Sequence, residues 1–171
     1  FCNAMLRSPQ IRLLAAFDHC AIFIDPQPAE EVSFAERQRL FEQPRSSWQD
    51  YKASLSAGGG VFSRTLKSIP LSAPMKALTG LSASAATPQD IVKALLKAKV
   101  DLLWFGGIGT FIRAAAETDD KVGDRANDAV RITASEVGAR VIGEGANLAM
   151  TQKARVEYGL AGGRSNSDAI D

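Results

Sequence analysis

Histidine occurs once, at His19, and cysteine twice, at Cys2 and Cys20. With one imidazole and no C-x-x-C spacing, soft ligands cannot assemble a zinc site, and both cysteines read as plain reduced thiols. An excess of one charge is missing too. Lys+Arg number 20 against 19 Asp+Glu, a formal +1, and neither sign gathers into a run that could track a nucleic-acid backbone or a membrane surface. No apolar stretch approaches the roughly 20 residues that span a bilayer, and FCNAMLRSPQ is no signal peptide. These absences argue against nucleic acid and membrane as partners, and leave a small ligand and the cytoplasm as the natural setting.

What is present suffices for one sizeable core: 171 residues, 46% hydrophobic and 23% charged. The chain opens on Phe, in what reads as a helix tail stopped by Ser8-Pro9, and so reads as a piece of a longer polypeptide. Ile11 to Phe17 (IRLLAAF) is nearly continuous in apolar residues, the pattern of a strand covered on both faces in a parallel sheet, and Ala21 to Ile24 is a second short extended run. Ser33, with Glu36 three residues later, predicts a helix closed before Pro44. Residues 44 to 90, with Gly58 to Gly60 and Pro70, Pro74 and Pro88, read as an irregular insertion with little structure of its own. Beyond it the patterns predict a helix from Pro88, a strand over Val100 to Trp104, a helix over Arg125 to Glu136, a strand over Ala139 to Gly143, and a helix or turn after Thr151.

Short apolar strands alternating with helices predict an α/β fold: a Rossmann-like open, mostly parallel sheet with helices on both faces. In such sheets ligands lie outside the carboxyl ends of the strands. Three strands here end in unusual signals: Asp18, FGGIGT (Phe105 to Thr110) and GEGAN (Gly143 to Asn147). An acidic residue at a strand end can accept hydrogen bonds from ribose hydroxyls, though turn-forming aspartates are common there. The glycines of FGGIGT admit a flat ligand or a pyrophosphate to the main chain, or serve packing alone. Asn147 both donates and accepts, as a carboxamide or ribose requires, or caps a helix. His19 fits a surface role better than a proton carrier. Trp48 and Tyr51 read as packing for the irregular segment.

The segments IRLLAAFDHCAIFIDP, GGGVFSRTLKSIPLS, LLWFGGIGT, VGDRANDAVRI and VIGEGANLAMTQKARVEYGLAGGRSNSDAID together resemble, in that order, the cofactor-domain region of large bacterial NAD-specific glutamate dehydrogenases. GEGAN followed by Thr151 is also similar to the strand-end motif of small glutamate, leucine and phenylalanine dehydrogenases.

The resemblance implies oxidative deamination of L-glutamate to 2-oxoglutarate and ammonia, with NAD as cofactor and a full-length homo-oligomer. It implies that Asp18 holds the adenosine ribose, that Gly106, Gly107 and Ile108 pass main chain under the cofactor, and that Glu144, Gly145 and Asn147 border the nicotinamide ribose. The family's catalytic lysine and aspartate belong to a preceding substrate domain, so no catalytic residue maps here. The phosphate-binding glycine loop and first strand are expected upstream of Phe1, and the isolated piece is expected to be inactive. Three positions depart from the family pattern: Cys2 and Ala4 stand where it has glycines, and Phe105 where it often has Asn. These departures leave open an interaction or regulatory module that has lost cofactor binding. A related amino-acid dehydrogenase with another substrate is the third possibility.

Overall fold

The computed structural model describes residues 4–145 and 148–166. It divides into two compact units, Phe1–Pro88 and Gln89–Asp171. Each is described by itself.

In the first unit, β1 (Ala15–Phe17), β2 (Ala21–Ile24) and β3 (Gly60–Ser63) form a sheet in that order, antiparallel throughout, with Phe17 opposite Ile22 and Phe23 opposite Val61. This corrects the expected parallel strand over Ile11 to Phe17. Only three residues separate β1 from β2, and a parallel crossover needs a dozen or more, so the link must be a hairpin. The central strand β2 is fully buried. Phe23 packs its ring 4.9 Å from that of Trp48 and 4.8 Å from that of Tyr51, so both aromatics serve the core as expected.

Helix α1 (Glu30–Glu42) starts three residues before the expected Ser33, which is buried inside it. Glu30 and Glu31 occupy its first turn, where the helix dipole favours carboxylates. Its buried Arg37 donates Nη1 to the carbonyls of Leu6 and Ser8 at 2.8 and 3.1 Å and Nη2 to that of Ile11 at 3.0 Å. One guanidinium thus satisfies a carbonyl of the 3-10 turn Ala4–Arg7 and two of the irregular stretch that follows it. The 44–90 stretch is more ordered than expected. It supplies β3, the paired strands β4 (Ile69–Pro70) and β5 (Ala85–Ala86), and α2 (Ala73–Thr79), capped by Ser72 and ended by Gly80 at φ 73°.

All but the first residue of α3 (Pro88–Leu96) belongs to the second unit, and the helix buries Ile91, Val92, Leu95 and Leu96. Its main sheet is parallel, in the order β10-β9-β6, from β6 (Leu102–Phe105), β9 (Val141–Glu144) and β10 (Arg164–Asn166). A second parallel pair joins β7 (Ile112–Arg113) to β8 (Ile132–Thr133), and Ile112 also bridges Met150. Between them lies α4 (Asp119–Val122); α5 (Gln152–Leu160) follows β9 and is capped by Thr151, whose Oγ1 accepts from Ala154 N at 3.1 Å.

The helix expected over Arg125 to Glu136 does not form. Two 3-10 turns, Arg125–Asn127 and Ala134–Glu136, flank β8 instead. Pairing with β7 takes Ile132 and Thr133 into extended geometry, and Thr133 with Glu136 closes a capping box that starts the next turn. The fold is thus mixed α/β with small sheets, of which one is a three-stranded parallel sheet.

Candidate functional site

The turns after β6 and β9 lie side by side because those strands are parallel neighbours, Trp104 opposite Gly143 and Phe105 opposite Glu144. The ladder continues past the strands, with Gly145 N donating to Phe105 O at 2.9 Å. Further along, Thr110 Oγ1 donates to Leu148 O at 2.7 Å, Phe111 N to Ala149 O at 2.9 Å, and Thr151 N to Ile112 O at 3.0 Å. FGGIGT, Gly145 and the stretch from Leu148 to Thr151 are therefore tied into one edge at the carboxyl end of the sheet.

The glycines have different reasons. A Cβ on Gly143 or Gly145 would come within 2.5 or 2.7 Å of the Trp104 ring, so both are glycine because the indole lies against them. Gly107 is the opposite case. A Cβ there would meet nothing within 4 Å, so no packing within the chain requires glycine. Beside it Ile108 is 96% exposed, and Leu148 across the edge is 57% exposed at φ 65°. The edge thus presents open main chain and bare apolar side chains, a surface suited to a flat ring. Phe105 turns inward, buried and stacked on Phe111 at 5.6 Å between centroids. A polar side chain at that position would lose this core contact.

Glu144 also turns inward. Its buried carboxylate takes Arg155 Nε and Nη2 on Oε1 at 3.0 and 2.9 Å, and Arg155 Nη2 and Ala149 N on Oε2 at 2.8 and 3.1 Å. Asn147 lies outside the described residues. The FGGIGT turn is held from its other side by Asp124 and Arg131. Asp124 Oδ2 accepts from Thr110 N and from Asn127 Nδ2, both at 2.8 Å. Arg131, with its side chain fully buried, donates Nε to Thr110 O at 2.9 Å and Nη2 to Asp124 O at 2.6 Å, and pairs with Asp119 at 3.0 Å and Asp128 at 2.5 Å. The Arg131 hydrogen bond, opposed by partial burial, holds the Asp119 carboxyl below the usual range. Neither Arg131 nor Arg155 stood out in the sequence. Four aspartates within twelve residues before Arg131, and a glutamate and an arginine flanking a glycine-rich turn, were the available signals.

Asp18 belongs to the first unit. Its Oδ1 accepts from Cys20 N and Ala21 N, both at 2.7 Å, which closes the β1–β2 hairpin. Among the described residues, its other carboxylate oxygen has no partner. The same turn brings ligand atoms of Asp18, exposed His19 and Cys20 within 4.8 Å of one another. No further His, Cys, Asp or Glu joins them among the described residues. In the second unit a pocket of about 650 Å³ opens at the amino end of the parallel sheet, lined in part by Asp101, Arg140 and Arg164, away from the glycine turns. No helix among the described residues is long and apolar enough to cross a membrane.

Residues 1–171, the whole chain, match the family described as bacterial NAD-glutamate dehydrogenase, catalytic domain. The chain belongs to this family. It is 56% identical over 178 aligned residues to a protein of Mycobacterium tuberculosis named NAD-specific glutamate dehydrogenase. Proteins with the same name from Pseudomonas aeruginosa and Halomonas elongata are 55% and 51% identical over 172 residues. In each case all of this chain aligns, and it spans 11% of the relative's length.

Proposed function

We propose that the chain is part of the Rossmann-like dinucleotide-binding domain of an NAD-dependent glutamate dehydrogenase, with residues 44–90 inserted in it. The full-length cytoplasmic homo-oligomer would oxidise L-glutamate to 2-oxoglutarate and ammonia. The observation that carries this reading is the tied edge: two glycine-rich turns at the carboxyl ends of adjacent parallel strands, the place where open α/β sheets bind ligands. Open space at Gly107 beside exposed Ile108 and Leu148 supports the fit of a flat, partly apolar group.

In this reading Gly106, Gly107 and Ile108 pass main chain under the cofactor, and Glu144 and Gly145 border the nicotinamide ribose through their backbone. Asn147 hydrogen-bonds at that end. NAD supplies the hydride acceptor; these residues bind and orient it. The catalytic lysine and aspartate lie in another domain, and the 171-residue piece alone is inactive.

The test is NADH absorbance from the full-length protein with NAD+ and glutamate. Wild type reduces NAD+ and Asn147→Ala loses most of that rate. A folded but inactive wild type would instead favour an interaction module, and activity only with another amino acid would reassign the substrate.

A further inference from the structure

The turn between β1 and β2 carries a carboxylate, an imidazole and a thiol on three consecutive residues, Asp18, His19 and Cys20, with ligand atoms within 4.8 Å of one another. The main chain beneath them is fixed from both sides. Asp18 Oδ1 accepts from Cys20 N and Ala21 N at 2.7 Å, and Asp18 N donates to Ala21 O at 3.0 Å. Arg64, just past β3, donates its N to Cys20 O and its Nη1 to Asp18 O, both at 2.8 Å. The second oxygen of Asp18 has no partner among the described residues, His19 is exposed, and Cys20 is a free, half-buried thiol. Zinc bonds of about 2.0–2.3 Å in a tetrahedral array put ligand atoms about 3.5 Å apart, so movements of roughly 1 Å in these side chains close the set. Because the turn is already held, binding has little main chain left to order.

The donors select the cation. One carboxylate cannot supply the oxygens that calcium requires, and magnesium is not held by sulfur and imidazole. Sulfur, nitrogen and oxygen together suit zinc, which in sites with three protein ligands keeps water in the fourth position. The carboxylate completes a set that one histidine and unpaired cysteines could not form alone. Arg64 brings a positive charge to the turn, and Asp18 with the Cys20 thiolate cancels the two charges of the metal.

We propose that Asp18, His19 and Cys20 bind one zinc ion through a carboxylate oxygen, an imidazole nitrogen and Sγ, with water as the fourth ligand. The three side chains displace water from the hydrated ion, and the Cys20 thiol gives its proton to solvent as the Zn–S bond forms. All three ligands stand on one solvent-facing turn, so the ion exchanges with its surroundings, and while bound it withholds the Cys20 sulfur from other reagents. The site lies within the first unit and requires no dinucleotide.

The experiment follows alkylation of Cys20 by iodoacetamide in the full-length protein, read by mass spectrometry on the peptide that carries it, as Zn2+ is titrated. It compares wild type, His19→Ala and Asp18→Asn, with Mg2+ as a control. His19 is exposed, so its replacement leaves the fold alone. Asp18→Asn keeps an oxygen that accepts from Cys20 N and Ala21 N, so the hairpin persists while the metal loses a charged ligand. Zn2+ protects Cys20 in wild type and Mg2+ does not. The Zn2+ concentration for half-protection rises by about tenfold or more in each variant, since even an outer partner of a bound metal is worth that much. Cobalt in place of zinc gives the charge-transfer absorption of a cobalt–thiolate bond, weaker in Cys20→Ser than in wild type. Unprotected Cys20 in wild type overturns the proposal. So does half-protection at the wild-type Zn2+ concentration in His19→Ala or in Asp18→Asn, because the residue changed is then no ligand.

Discussion

The Thr110 hydroxyl meets the Leu148 carbonyl at 2.7 Å, the one side-chain hydrogen bond described between the turn after β6 and the turn after β9. Thr110→Val keeps the shape and removes the donor. The bond is exposed, so its loss costs about 0.5–1 kcal/mol, the lower part of the usual range for a net hydrogen bond. A denaturant melt of the chain reads this change, and a loss above about 2 kcal/mol would mean that the turns depend on this contact far more than the geometry implies.

Two glycines of the edge separate packing from binding. Gly145→Ala drives a methyl to 2.7 Å from the Trp104 ring and costs about 1–3 kcal/mol, the usual range for overpacking. Gly107→Ala meets nothing within 4 Å, so the melt moves by no more than about 0.5 kcal/mol, while NADH affinity of the full-length protein falls. Unaltered affinity in Gly107→Ala would remove the argument that this open backbone is where the cofactor passes.

Arg131→Met leaves the Thr110 and Asp124 carbonyls without their donor and Asp128 without its cation, while Asp119 keeps Arg113 at 3.0 Å. Both carboxylates still reach water, so the cost falls near the bottom of the range for breaking a buried pair, about 3 kcal/mol. Urea unfolding measures it. A loss below about 1 kcal/mol would show that the FGGIGT turn holds its shape without this guanidinium.

Acid acts through Glu136. Its hydrogen bonds to Lys97 Nζ at 2.6 Å and to Thr133 N at 2.8 Å lower its pKa to about 2 from an ordinary 4.5. On acidification the unfolded chain takes up this proton first. The contribution is therefore complete above about pH 4.5 and disappears as pH falls towards 2. Both partners are 41% exposed, so the effect is small. Melting temperature recorded between those two pH values falls less steeply in Glu136→Gln than in wild type; parallel curves would remove Glu136 from the acid response.

Local patterns were legible where one element decides its own structure. The run Ala21 to Ile24 is β2 as read, the helix from Pro88 is α3 with its apolar face buried, and the helix after Thr151 is α5. The two glycine-rich stretches lie at strand endings as read, and the sheet makes them neighbours. Pairing partners were less legible. The apolar run before Asp18 suggested burial in a parallel sheet, although the three residues that follow Phe17 can only turn back. In residues 125–136 local helical preference gave way to an ion cluster and a strand partner that lie elsewhere in the chain. The resemblance puts Glu144 beside the nicotinamide ribose, and the residues alone gave no sign that its carboxylate turns inward; its partner Arg155 lies eleven residues on, a separation that no local periodicity marks.

Arg37 binds Leu6, Ser8 and Ile11 by their main chain rather than their side chains. That stretch can therefore vary in residue type without losing its anchorage, so long as its path persists. The arginine has no such latitude, because no other side chain forks to three carbonyls from inside a helix. The N-terminal stretch and α1 consequently open as one unit, and a protease would find the stretch accessible only when the helix had already let go.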